Sequence, residues 1–95
     1  MTPKHFELID DDKKDLSKLQ ELMIITMEEC SELIQECSKS IRMGDYNRSE
    51  LKDEIGDVLC MIELLKSNGL IDGRYLKNRV ELKRMKLMKW SDLIE

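Results

Sequence analysis

Residues 27–36 read Met-Glu-Glu-Cys-Ser-Glu-Leu-Ile-Gln-Glu: four glutamates in ten positions, with no lysine or arginine among them. A second acidic pair, Glu54 and Asp57, follows in the stretch Leu51-Lys-Asp-Glu-Ile-Gly-Asp-Val-Leu. Acids at i and i+3 sit about one helical turn apart and can share a ligand along one flank. An all-oxygen donor set suits a hard divalent cation, Mg2+ foremost and Mn2+ as the alternative. Mg2+ keeps waters and takes further oxygens from substrate phosphates, so the chemistry in view is phosphate chemistry. No side-chain nucleophile competes: the one histidine, His5, lies in the N-terminal lead-in, and the serines have no placed base. Water is the expected nucleophile, with a cation to lower its pKa and a carboxylate to take its proton.

Helices must carry these acids. Leu16, Leu19, Leu22, Met23, Met27, Cys30, Leu33, Ile34, Cys37 and Ile41 recur at three- and four-residue steps, which predicts one long amphipathic helix over about 13–42. Residues 1–12 form an irregular lead-in, where Asp10 to Asp12 can cap or charge the helix start. Gly44 stops the helix, and Asn47 with Glu50 resembles a capping box for a second helix over about 48–67. A third helix is expected over about 74–89. Ser91 then caps a short terminal helical turn in the tail, 91–95. The expected fold class is all-α: three main helices plus a short terminal helix, in one domain over 1–95.

On a helical wheel the apolar side of the first helix centres near Cys30 and Cys37. Glu29 lies at its edge beside Leu22 and Leu33, Glu32 and Glu36 lie further round, and Glu28 points away. In the second helix, Glu54 and Asp57 interrupt a line that continues through Met61 and Leu64. A carboxylate on such a face is costly unless it is paired or holds a metal. That interruption argues against a merely solvated acidic face, which is what most glutamate runs are. Like charges at i,i+4 add a few tenths of a kcal/mol of repulsion per pair, about 0.2–0.5, which a cation would relieve.

Composition narrows the alternatives. The chain has 95 residues, a net charge of −4, one proline and few aromatics. So small a chain buries only about 60–65% of its unfolded surface, and further copies would enlarge its core. The acidic balance argues against binding a nucleic-acid polymer. No apolar run approaches the roughly 20 residues of a membrane span, and no signal peptide opens the sequence. Cys30, Cys37 and Cys60 lack metal or disulfide spacing and read as small buried residues, so a cytoplasmic location is expected.

The order Glu28-Glu29-Cys-Ser-Glu32, a 21-residue spacer, then Glu54-Ile-Gly-Asp57 resembles the motif of the MazG-like all-α nucleoside triphosphate pyrophosphohydrolases. EECSELIQECSK and LKDEIGDVLCMIELL have the look of that family, and the resemblance covers roughly residues 18–90. It implies a helical bundle completed by forming a homodimer or homotetramer. It also implies Mg2+-dependent cleavage between the α- and β-phosphates of a nucleoside triphosphate, giving a monophosphate and pyrophosphate. Carried over by position, Glu29, Glu32, Glu54 and Asp57 would hold the metal. Glu28 and Glu36 would stand behind these ligands, and Glu32, with Glu29 beside it, is the first choice for taking the proton from water.

The third helix is rich in bases, among which Lys77, Asn78, Arg79 and Lys83 are the candidates for gripping phosphate; a solvated basic face is the plain alternative. Met61 is the candidate for lining a base pocket, although methionine is more often core filler. Tyr46, Tyr75 and Trp90 are expected to pack rather than to stack on a base. Gly56 is expected to allow close helix approach. The rival to the enzyme is a helical module that oligomerises through its apolar stripes without catalysis. In such a module, replacing Glu54 and Asp57 with leucine would add stability.

Overall fold

The computed structural model describes residues 14–94, and the side chains from Ser17 onward. Three helices follow one another: α1 (Lys14–Met43), α2 (Ser49–Ser67) and α3 (Gly73–Trp90). They fall within a residue or two of the predicted spans. Residues 1–12, expected as a lead-in with Asp10 to Asp12 at the helix start, lie outside the described residues.

Two glycines set the helix ends. Gly44 has φ +67°, the Asp45 amide donates to the Ser40 carbonyl at 3.1 Å, and the Gly44 amide donates to Ile41 at 3.3 Å. Gly69 repeats the pattern at the end of α2, with φ +79° and the Leu70 amide on the Leu65 carbonyl at 3.0 Å. Both are Schellman caps, in which a left-handed residue turns the chain and satisfies the last carbonyls. Asp72 opens α3 by accepting the Tyr75 amide at 2.8 Å.

Three local expectations are corrected. Asn47 does not cap α2: its amide binds the Asp45 side chain at 3.1 Å, and the Arg48 carbonyl accepts the first helical bond, from Lys52. Residues 91–94 form no helix, because Ser91 closes α3, its amide bonding Leu87 at 2.8 Å while its hydroxyl accepts the Leu93 amide. Gly56 admits no close neighbour, since a Cβ built there would meet nothing within 4 Å.

The chain divides into two compact units, Met1–Leu64 and Leu65–Glu95. In the first, α1 and most of α2 form an antiparallel hairpin. Leu22, Thr26, Glu29, Leu33, Glu36 and Ser40 mark the side of α1 that is turned inward, with Leu22 and Ser40 buried. On α2 the buried residue is Met61. The neighbouring stripe of α1 faces solvent: Met23, Met27, Cys30, Ile34, Cys37 and Ile41 are all exposed, Ile34 at 68%. Their spacing alternates four and three residues, the seam of a coiled coil. The apolar side centred on Cys30 and Cys37 is thus turned outward in one chain. Cys30, Cys37 and Cys60 are exposed thiols rather than buried ones; on α1 the acid-bearing face is what packs on α2, which leaves Cys30 and Cys37 outside. In the second unit, α3 contains no buried residue, and Trp90 is 80% exposed.

Gly44→Ala should destabilise the protein by about 1–2 kcal/mol in chemical unfolding, since a Cβ is strained at that φ. Gly56→Ala should instead stabilise it by about 0.5–1 kcal/mol, because α2 there has open space and no need of a glycine.

Candidate metal centre

The two helices of the hairpin bring their acids together. Glu29 on α1 and Glu54 and Asp57 on α2 each offer a carboxylate oxygen, and these oxygens lie within 4.8 Å of one another. Glu29 reaches the site because it lies on the inward stripe of α1 with Leu22 and Leu33. Glu54 and Asp57 reach it because one turn of α2 separates them. Glu32 lies next to this trio: its charge acts on both Glu29 and Glu54.

Electrostatics mark the cluster as unsettled without a counter-ion. Burial, followed by the charges of Glu32, Asp57 and Glu29, pushes the Glu54 carboxyl up to about 7. Glu29 is raised too, by burial first and then by Glu32, Asp57 and Glu28, against a lowering hydrogen bond with Glu54. One carboxylate oxygen on each of Glu28, Glu29 and Glu54 is shut off from solvent and has no hydrogen-bond partner. An enclosed acceptor without a partner is unfavourable, the more so when charged. Such oxygens are also what a cation would satisfy.

The donor set fits a hard divalent ion. Bonds of about 2.1 Å in an octahedral shell require ligand oxygens about 3–4.2 Å apart. Oxygens within 4.8 Å need only a small side-chain rotation to meet that. The mix of three carboxylates from two helices leaves room in the shell for water and phosphate oxygens.

The other sequence-designated residues stand as follows. Glu28 is half-buried rather than pointing to solvent, as its enclosed oxygen shows. Glu36 is engaged by Arg48 at 2.6 Å and by Lys39 at 3.6 Å, and the Arg48 hydrogen bond holds its carboxyl below the usual range. Met61 is 6% exposed, seven residues past Glu54 and on the same side of α2. Lys77, Asn78, Arg79 and Lys83 are exposed on α3, in the second unit. Sequence reasoning missed Arg48. Glu50 of α2 stands 3.9 Å from it, but its close partner, Glu36, lies across the turn on α1, a pairing that helical periodicity cannot reveal.

A helical hairpin that presents carboxylates from both arms to one point is an all-α, acid-lined arrangement that could hold a cation. Residues 17–72 match the family model of the MazG nucleotide pyrophosphohydrolase domain. The match spans more than half of the chain, and the chain belongs to that family. No curated protein and no solved structure matches it. Among the described residues no helix is long and apolar enough to cross a membrane.

A pH experiment tests the cluster directly. With its pKa raised to about 7, Glu54 keeps a proton in the folded, cation-free protein that the unfolded chain loses near its ordinary pKa of 4.5. The folded state therefore binds more protons than the unfolded state between those values, and the stabilising contribution is lost as pH rises through about 7. A divalent cation bound there, such as Mn2+, would displace that proton. Calorimetry at pH 6 in buffers of different ionisation enthalpy should show about one proton released per site, and less in Glu54→Gln.

Proposed function

We propose that the protein is a metal-dependent nucleotide pyrophosphohydrolase, cleaving the α–β bond of a ribo- or deoxyribonucleoside triphosphate to a monophosphate and pyrophosphate. The observation that carries this reading is the convergence of Glu29, Glu54 and Asp57, two of them with enclosed, unpartnered oxygens, within the family match. Glu29, Glu32, Glu54 and Asp57 would hold Mg2+, with Mn2+ as a substitute. When bound, the ion would neutralise phosphate charge and acidify the attacking water.

The chain's own groups supply the rest. Water attacks the α-phosphorus, the bond to the bridging oxygen breaks, and pyrophosphate leaves with the electron pair. A carboxylate takes the water's proton. Glu32 is the choice for that base, with Glu29 the second: a carboxylate that holds the ion by one oxygen can take the proton at the other. Glu28, whose charge acts on Glu29, would stand behind the ligands. Lys77, Asn78, Arg79 and Lys83 would meet the phosphates, and Met61 would line the base pocket.

The acting unit is a homodimer or homotetramer. Its support is the exposed seam from Met23 to Ile41, a continuous coiled-coil pattern that one chain leaves in water. The same seam favours the second reading, a helical interaction module without catalysis. The two readings part at Glu54 and Asp57, which a module would gain by losing.

Pyrophosphate release from a panel of ribo- and deoxyribonucleoside triphosphates, with Mg2+ and with chelator, decides between them. Metal-dependent release should fall at least a hundredfold in Glu54→Gln at unchanged helix content. No release from any substrate, together with a rise in stability in the Glu54→Leu/Asp57→Leu variant, would establish the module. Ile34→Glu, a charge set into the middle of the seam, should shift sedimentation from oligomer to monomer. An unchanged sedimentation coefficient would place the interface elsewhere.

A further inference from the structure

Arg48 stands at the entry to α2, and its guanidinium is turned back onto α1. One nitrogen, Nη2, donates to the Glu36 carboxylate at 2.6 Å. The other, Nη1, donates to the Glu36 backbone carbonyl at 3.2 Å and to the Ser40 hydroxyl at 3.1 Å. The Arg48 side chain is 9% exposed and that of Glu36 14%, while Ser40, at 1%, is the most deeply buried polar residue described. Three acceptors on α1 thus meet one planar donor fork from the start of α2. A lysine, with one ammonium, cannot span the same set.

The position of this contact along the hairpin matters. Glu36 lies seven residues beyond Glu29 on the inward stripe of α1, about 10 Å along the axis. Arg48 lies six residues before Glu54, about 9 Å along α2. The two helices run antiparallel, so equal steps away from the Arg48 contact bring Glu29 and Glu54 level. The apolar packing that could otherwise fix this register is thin: Leu22 and Met61 are the buried hydrophobic residues described. Against it acts the mutual repulsion of the carboxylates, which pushes the helices apart when no cation is present.

We propose that Arg48, seated on Glu36 and Ser40, is a positioning residue that pins the start of α2 to α1 in the register that makes Glu29, Glu54 and Asp57 converge. The inference rests on the reading of that trio as a cation site. It gives Glu36 a role in ordering the ligands through the helix rather than by reaching them. Arg48 touches neither cation nor substrate; it sets where the ligands stand before either arrives.

The test is calorimetric titration of the full chain with Mn2+, well below the unfolding transition, in wild type, Arg48→Lys, Glu36→Gln and Asp57→Asn. Helix content by circular dichroism confirms that each variant is folded. Wild type should bind Mn2+, and Asp57→Asn should bind much more weakly. Arg48→Lys and Glu36→Gln should each weaken binding about tenfold with the number of sites unchanged, as loss of a residue that orients metal ligands does. A residue that only stabilises the fold would lower the melting temperature and leave the cation affinity alone. Wild-type affinity in folded Arg48→Lys and Glu36→Gln would overturn the positioning role while leaving the cation site standing. Absence of Mn2+ binding by the wild type itself would instead remove the cation site, and the positioning role with it.

Discussion

Like-charged carboxylates held together in a partly desolvated cleft are the constraint around which this hairpin is built. Glu29, Glu54 and Asp57 repel one another, and Glu32 adds to the repulsion. Enclosed, unpartnered oxygens add a solvation cost. A sequence selected for stability alone would place apolar side chains at these inward positions, since buried charge rarely returns its desolvation cost. Instead the acids occupy the inward stripe of α1 and the matching turn of α2. The structure offsets their cost locally, through a proton on Glu54 and the Arg48–Glu36–Ser40 contact.

This arrangement explains why the apolar stripe of α1 lies outside. A single helix has room for two adjacent seams, one centred on Leu22, Glu29 and Ser40 and the other on Met27, Ile34 and Ile41. In one chain α2 covers the first, so the second remains in water. The more apolar of the two seams is therefore not the one that builds the hairpin. The hairpin gives up apolar burial to bring its carboxylates together, and the outward seam is the surface on which further copies would recover it.

Much of this was legible in the sequence. The 3.6-residue periodicity located all three helices, because long amphipathic segments carry many repeats of the same signal. Gly44 was readable as punctuation by its chemistry, whereas the Asp72 cap of α3 emerged with the structure. The convergence of Glu29 with Glu54 and Asp57 followed from pairing two i,i+3 acid pairs on antiparallel helices. Other features were not legible. The wheel ranked the Cys30–Cys37 side as the buried one because hydrophobicity alone cannot say which of two seams meets the intramolecular partner. The Arg48 contact was not legible because its acceptors, Glu36 and Ser40, lie twelve and eight residues back, across a turn. Ser91 and Asn47 were assigned caps by residue type, whereas the actual caps depend on which backbone groups the neighbouring turn leaves open.

The central claim is that these carboxylates are assembled to hold a divalent cation. Anomalous X-ray scattering from crystals grown with Mn2+ tests it most directly. The expected result is a peak between Glu29, Glu54 and Asp57, with carboxylate oxygens about 2.1–2.3 Å from it and Glu32 alongside. A well-ordered cluster with no anomalous peak at millimolar Mn2+, or a peak held by other residues while these acids stay apart, would contradict the account.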